Sequence, residues 1–138
     1  KLLNLRNAIL GILETRIDSN KINFYKELNS SQNLAIENSL NSSEISLIHG
    51  PPGTGKTTTL IYLVKTYLDL NQNNKILITA PSNKAIDLIV KKLSENNIKI
   101  IRVGNIEKIS KEVKDTNLDE KILKDKEYKV LKKYKDEL

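Results

Sequence analysis

Ile45–Leu60 reads ISLIHGPPGTGKTTTL. Six of those positions, Gly50–Gly55, hold three of the chain's five glycines and two of its three prolines. Glycine lets a backbone come close to a ligand because no Cβ stands in the way. Proline fixes φ and removes a competing N–H donor. Gly50, Gly53, Gly55, Lys56 and Thr57 fit G-x-x-x-x-G-K-[ST], the pattern in which successive N–H groups curl round an anion. The helix that follows adds the positive end of its dipole. Lys56 is then placed to reach the β- and γ-phosphates of a nucleotide, and the Thr57 hydroxyl to ligate Mg²⁺. The candidate nucleotide-binding set is Gly50, Pro51, Pro52, Gly53, Thr54, Gly55, Lys56, Thr57 and Thr58. The plainer alternative is a Gly/Pro turn joining strand to helix, and the flanking sequence favours the phosphate loop.

That flanking sequence has the required order. Ile45–His49 is a short apolar, β-favouring run, and Thr57–Leu70 has helical spacing through Leu60, Val64 and Leu68. Asn71–Asn74 (NQNN) reads as a turn. Lys75–Pro81 (KILITAP) is nearly all apolar, as in a strand buried on both faces. Asn83–Leu93 returns to helical spacing through Ile86, Ile89, Val90 and Leu93, and Ile98–Gly104 (IKIIRVG) predicts a third strand. Alternating strands and helices imply right-handed crossovers and a parallel sheet with helices on its faces. Upstream, Lys1–Glu14 predicts a helix with Leu2, Leu5, Ile9 and Leu13 on one stripe. A polar, turn-like segment follows from Ser19 to Ser30, then a helix from Ser31 to Leu40. Beyond Gly104 the composition turns to Lys, Asp and Glu, and Leu118–Leu138 predicts one long, thinly amphipathic helix. Three divisions are expected: a helical and linker segment over 1–27, a partial nucleotide-binding domain over 28–104, and a charged helical segment over 105–138.

A chain of 138 residues with 38% hydrophobic content can bury one modest core. It has no cysteine, which excludes disulfides and thiolate metal sites, and its one histidine does not suggest a metal centre. No apolar run approaches a membrane span. The formal charge of +6 suits a polyanionic partner. The chain contains no methionine and begins with Lys1, so it is expected to be a fragment of something longer. The opening KLLNLRNAIL is interrupted by Asn4, Arg6 and Asn7 and makes a poor signal peptide. The closing KDEL is therefore read as the tail of a charged helix, and the protein as intracellular, in cytoplasm or nucleus.

Three blocks stand in a specific order: LNSSQNLAI (Leu28–Ile36), GPPGTGKTTTL (Gly50–Leu60) and ILITAPSNKAIDLIVKKL (Ile76–Leu93). Together with IIRVG they resemble the first RecA-like domain of superfamily 1 helicases. The similarity is to the group of senataxin, the nonsense-mediated-decay helicase and the immunoglobulin-mu-binding helicase. It spans Leu28 to Gly104 and implies an ATP-dependent 5′–3′ translocase on single-stranded DNA or RNA. It implies that Gln32 reads adenine, as the glutamine of the family's Q motif. A carboxamide offers one acceptor and one donor side to the N6/N7 edge of the base. The resemblance also assigns Pro81, Ser82 and Asn83 to a motif that grips the nucleic-acid backbone. N–H groups, a hydroxyl and a helix dipole can all meet a phosphate there, while Ser82 or Asn83 can equally cap the helix. Asp87 belongs to the same motif and is expected to be structural. His49 fits the pattern too, as a packed residue without chemistry.

Hydrolysis needs an acidic residue at a strand end to complete the Mg²⁺ site. The three expected strands run instead into Gly50, Pro81 and Gly104. The family's second RecA-like domain, with its arginines, has no counterpart in this sequence. ATP, Mg²⁺, single-stranded DNA or RNA and the remainder of the motor are thus the implied partners, with no membrane. Two other readings stand beside it: a nucleotide- or nucleic-acid-binding module without turnover, and another P-loop ATPase such as a transporter or kinase-like enzyme.

Overall fold

A computed structural model describes residues 2–14, 17, 18, 22–126 and 128. The chain divides into two compact units, Lys1–Ile76 and Leu77–Leu138.

The first unit opens with α1, Leu2–Ile9. It is shorter than the expected Lys1–Glu14 because Gly11 closes it at φ +68°. The Ile12 N–H bonds back to the Asn7 carbonyl at 2.8 Å and the Gly11 N–H to Ala8 at 3.1 Å, the reciprocal pair that ends a helix at a left-handed residue. Leu5, Ile9 and Leu13 of the expected stripe are exposed. Helix α2, Ser30–Asn41, starts at an Asn29 N-cap, and α3, Lys56–Leu70, at Gly55. The core of this unit lies where α2 and α3 pack, with Leu28, Ile36, Ile61 and Val64 buried. Helix α3 closes on the expected Asn71–Asn74 turn, where the Asn74 side chain donates to the Tyr67 carbonyl at 2.9 Å.

In the second unit α4, Asn83–Glu95, buries Ile89, Val90 and Leu93 as its spacing predicts. It ends at Asn97, a left-handed asparagine at φ 58°. Val90 packs with Ile109 and Val113, and Ile86 and Ile100 close over them. Between Gly104 and Leu118 the chain forms two 3₁₀ helices, Ile106–Lys108 and Lys111–Thr116, which the sequence did not suggest. Helix α5 covers Leu118–Lys124 and stops at Asp125. The expected helix to Leu138 is thus interrupted, and its stretch over 127 and 129–138 lies outside the described residues.

The expected sheet is not formed among the described residues. Ile45–His49, Lys75–Pro81 and Ile98–Gly104 carry no strand ladder, and the bridges present are the isolated pairs Ile17–Ser42 and Arg102–Asn117. A parallel strand is stable when neighbours satisfy its backbone and helices cover both faces. Leu47 and Leu77 are instead each 89% exposed, and Ile101 58%. No helix among the described residues is long and apolar enough to cross a membrane.

Candidate functional site

The phosphate loop is held by its own backbone. Gly55, the N-cap of α3, sits at φ 83° with no side-chain cap on the helix, so the first N–H groups of α3 face outward without an internal acceptor. Their combined dipole and donors favour an anion there. Its φ disfavours any other residue, and a Cβ there would stand 2.5 Å from Gln32 Nε2, so the Gln32 amide would have to move. The Lys56 ammonium donates to the carbonyls of Gly50 at 2.6 Å and Pro51 at 2.8 Å. The Thr54 hydroxyl donates to the same Pro51 oxygen at 2.8 Å. An ammonium has three donors, so one remains for a phosphate. Lys56 is exposed and Thr57 half-buried at the first turn of α3.

Gln32 is the third residue of α2 and is engaged at both ends of its carboxamide. Its Oε1 accepts from the Asn29 N–H at 3.0 Å, and the Asn29 side chain accepts from the Gln32 N–H at 2.9 Å, a reciprocal capping box. Its Nε2 donates to the Thr54 carbonyl at 3.1 Å. One lone pair and one N–H remain on the amide, the pair that an adenine edge needs. The segment before it is fixed by Asn33, whose buried amide donates to the carbonyls of Tyr25, Leu28 and Asn29 and accepts from the Tyr25 N–H. Tyr25 reaches α3 through a 3.0 Å hydroxyl contact with Thr66 and an edge-on packing against Tyr62. Base-reading candidate and phosphate loop are thus one hydrogen-bonded assembly.

The second candidate site lies at the start of α4. Pro81, Ser82 and Asn83 are exposed, and Ser82 is the N-cap, its hydroxyl accepting from the Ala85 N–H at 3.2 Å. Asp87 is buried, as its place one turn into the helix suggests. Its Oδ1 pairs with Arg102 Nε at 3.1 Å and its Oδ2 accepts from the Ser110 N–H at 2.8 Å. His49, expected to be packed, is exposed. Among the described residues no cluster of His, Cys, Asp and Glu forms a metal centre.

A family model described as an AAA domain matches residues 27–138. The chain belongs to this AAA-domain family. Its matched relatives are superfamily 1 helicases of the group that the three sequence blocks resemble. The DNA polymerase alpha-associated DNA helicase A of Schizosaccharomyces pombe is 43% identical over 96 residues, covering 70% of this chain and 14% of that protein. The DNA-binding protein SMUBP-2 of Rattus norvegicus is 37% identical over 99 residues, 71% of this chain and 10% of the relative. A regulator of nonsense transcripts 1 homolog of Drosophila melanogaster is 42% identical over 77 residues, 56% of this chain and 6% of the relative. The chain therefore spans a seventh or less of these curated relatives. Membership of the AAA-domain family brings with it a P-loop nucleotide-hydrolase fold.

Sequence reasoning missed the residues that support this AAA-domain site. NSSQ (Asn29–Gln32) carries the capping-box signature, which would have predicted the engagement of Gln32. Arg102, an arginine set inside the apolar run IIRVG, was the signal for a buried ion pair. Nothing in the sequence marks Asn33 or Asn117 as buried hubs.

Proposed function

We propose that this chain is the ATP-binding part of a superfamily 1 helicase, a motor that moves 5′ to 3′ along single-stranded DNA or RNA. The observation that carries it is the outward-facing N-terminus of α3, with Lys56 beside it and Gln32 bonded to the same loop through Thr54. In this reading Gly50–Thr58 receives the phosphates, the remaining donor of Lys56 turns to the β- and γ-oxygens, and the remaining amide groups of Gln32 meet adenine. Thr57 is suited to Mg²⁺: its hydroxyl makes no hydrogen bond among the described residues and stands at the loop's end. Thr57 would hold the ion there, and the ion would supply positive charge to offset that of the phosphates. Pro81, Ser82 and Asn83 meet the sugar-phosphate backbone. The apolar runs at 45–49, 75–81 and 98–104 are strands of a parallel RecA-like sheet in the complete motor, which the strand–helix order of the sequence supports. The divisions 1–27, 28–104 and 105–138 follow from the same assignment.

Equilibrium binding of a fluorescent ATP analogue with magnesium tests it. Lys56→Ala removes the cation from a site built for negative charge and is expected to weaken binding by at least about 10-fold, some 1.4 kcal/mol. Equal affinity of the variant and the unchanged chain would refute the loop assignment.

A further inference from the structure

The geometry points to Arg102 as the residue that positions the Asn83 amide for the nucleic-acid backbone, an inference that rests on the proposed role of Asn83. Arg102 is 8% exposed. Its Nε donates to Asp87, its Nη1 to the Val103 carbonyl and its Nη2 to Asn83 Oδ1 at 2.8 Å. A guanidinium has donors and no acceptor, so only the oxygen of the Asn83 amide can face it. The NH₂ of this exposed asparagine is therefore turned away from Arg102 and makes no hydrogen bond among the described residues. A free asparagine could present either end. The arginine fixes the end that a phosphate oxygen accepts from.

Arg102 is itself fixed. Its N–H donates to the Thr116 carbonyl at 2.9 Å, and its carbonyl accepts from the Leu118 N–H at 2.9 Å. Asn117, 0% exposed, donates from one amide group to the carbonyls of Arg102 and Gly104 and accepts from the N–H groups of Asp119 and Glu120. Ser110 holds the other oxygen of Asp87. The segment after Gly104 thus clamps Arg102 and its partner Asp87, and Arg102 in turn holds Asn83. A basic residue in a nucleic-acid-binding chain is ordinarily read as a phosphate contact. Here burial and the neutralising Asp87 leave Arg102 no charge to offer, so its effect passes through Asn83.

Fluorescence anisotropy of labelled single-stranded oligothymidylate and oligouridylate, titrated with the 138-residue chain over a range of NaCl, tests the inference. Asn83→Ala is the control for the underlying reading. Arg102→Lys keeps the charge but offers no fork to hold Asp87 and Asn83 together. Each is expected to weaken binding about 3- to 10-fold, the effect of one lost hydrogen bond, and the double variant no further than either alone. A second route removes the buried charges together: Arg102→Met with Asp87→Asn keeps an acceptor for the Ser110 N–H and the net charge. It is expected to give the same loss with an unchanged salt slope, whereas loss of a direct phosphate contact lowers that slope by about one. Unchanged affinity in Asn83→Ala overturns the reading of Asn83 and the inference with it. A loss in Asn83→Ala with none in the charge-neutral pair, additive losses, or a reduced slope in that pair overturns the positioning role and leaves Asn83 standing.

Discussion

Gly55 carries two constraints at one atom. Its φ of 83° belongs to the left-handed region, and a Cβ would press on Gln32 Nε2. Gly53 has nearly the same φ, 82°, with open space where a Cβ would go. Gly53→Ala is therefore expected to cost only the backbone strain, about 1–2 kcal/mol. Gly55→Ala is expected to cost more and to release Gln32 from the Thr54 carbonyl. Urea denaturation of the two variants separates them, and equal costs would show that the Gln32 contact adds nothing. Gln32 itself serves two neighbours and has one donor and one acceptor left. Gln32→Ala is expected to weaken ATP by about 1–3 kcal/mol and GTP by distinctly less, because only a base edge matching the amide loses a paired contact. Competition of ATP, GTP and CTP against one fluorescent nucleotide measures this. A parallel loss for all three would make Gln32 a structural cap alone.

The helices and the three apolar runs behave differently as elements. α3 and α4 carry their backbone hydrogen bonds internally and bury Ile61 and Val64, and Ile89, Val90 and Leu93. Ile45–His49 and the run from Lys75 have no ladder partners among the described residues. Hydrogen exchange of the 138-residue chain is expected to show slow amides in α3 and α4 and fast ones over 45–49 and 75–80, since protection follows local hydrogen bonding and burial. Slow exchange in the apolar runs would mean that they pair in solution. The same contrast explains what the sequence could tell. A helix satisfies its own backbone, so helical spacing located α3 and α4 to within one or two residues. The expected Ser31–Leu40 falls one residue short of α2 at each end, and the loop motif placed Lys56 and Thr57 at the head of α3. A strand depends on chain elsewhere, so apolar runs announce a sheet without showing that its neighbours are at hand. The polar hubs were illegible for a related reason. Asn33 and Asn117 matter through distances between backbone groups that a sequence does not contain, and helix α1 was overestimated because Gly11 turns the chain before its apolar stripe ends.

At the scale of the whole molecule the question is what these 138 residues can do with a bound nucleotide. In the proposed reading Lys56 and Thr57 supply a cation and a hydroxyl to phosphate and magnesium, which suffices for binding. Phosphoryl transfer also needs an ordered attacking water and charge compensation at the γ-phosphate. Neither the carboxylate that completes the metal site nor an arginine directed at the γ-phosphate is identifiable here: the three apolar runs end at Gly50, Pro81 and Gly104. Arg102, the arginine closest to a candidate site in the second unit, is engaged by Asp87, Asn83 and the Val103 carbonyl. An arginine at the γ-phosphate alone accounts for about 10³–10⁵ in rate. The isolated chain is therefore expected to bind ATP with magnesium yet to turn it over at least about 10³-fold more slowly than a complete motor. A phosphate-release assay with magnesium, with and without single-stranded oligonucleotide, decides it, and Lys56→Ala controls for contaminating activity. Robust turnover in the unchanged chain that disappears in Lys56→Ala would place a catalytic carboxylate among these residues.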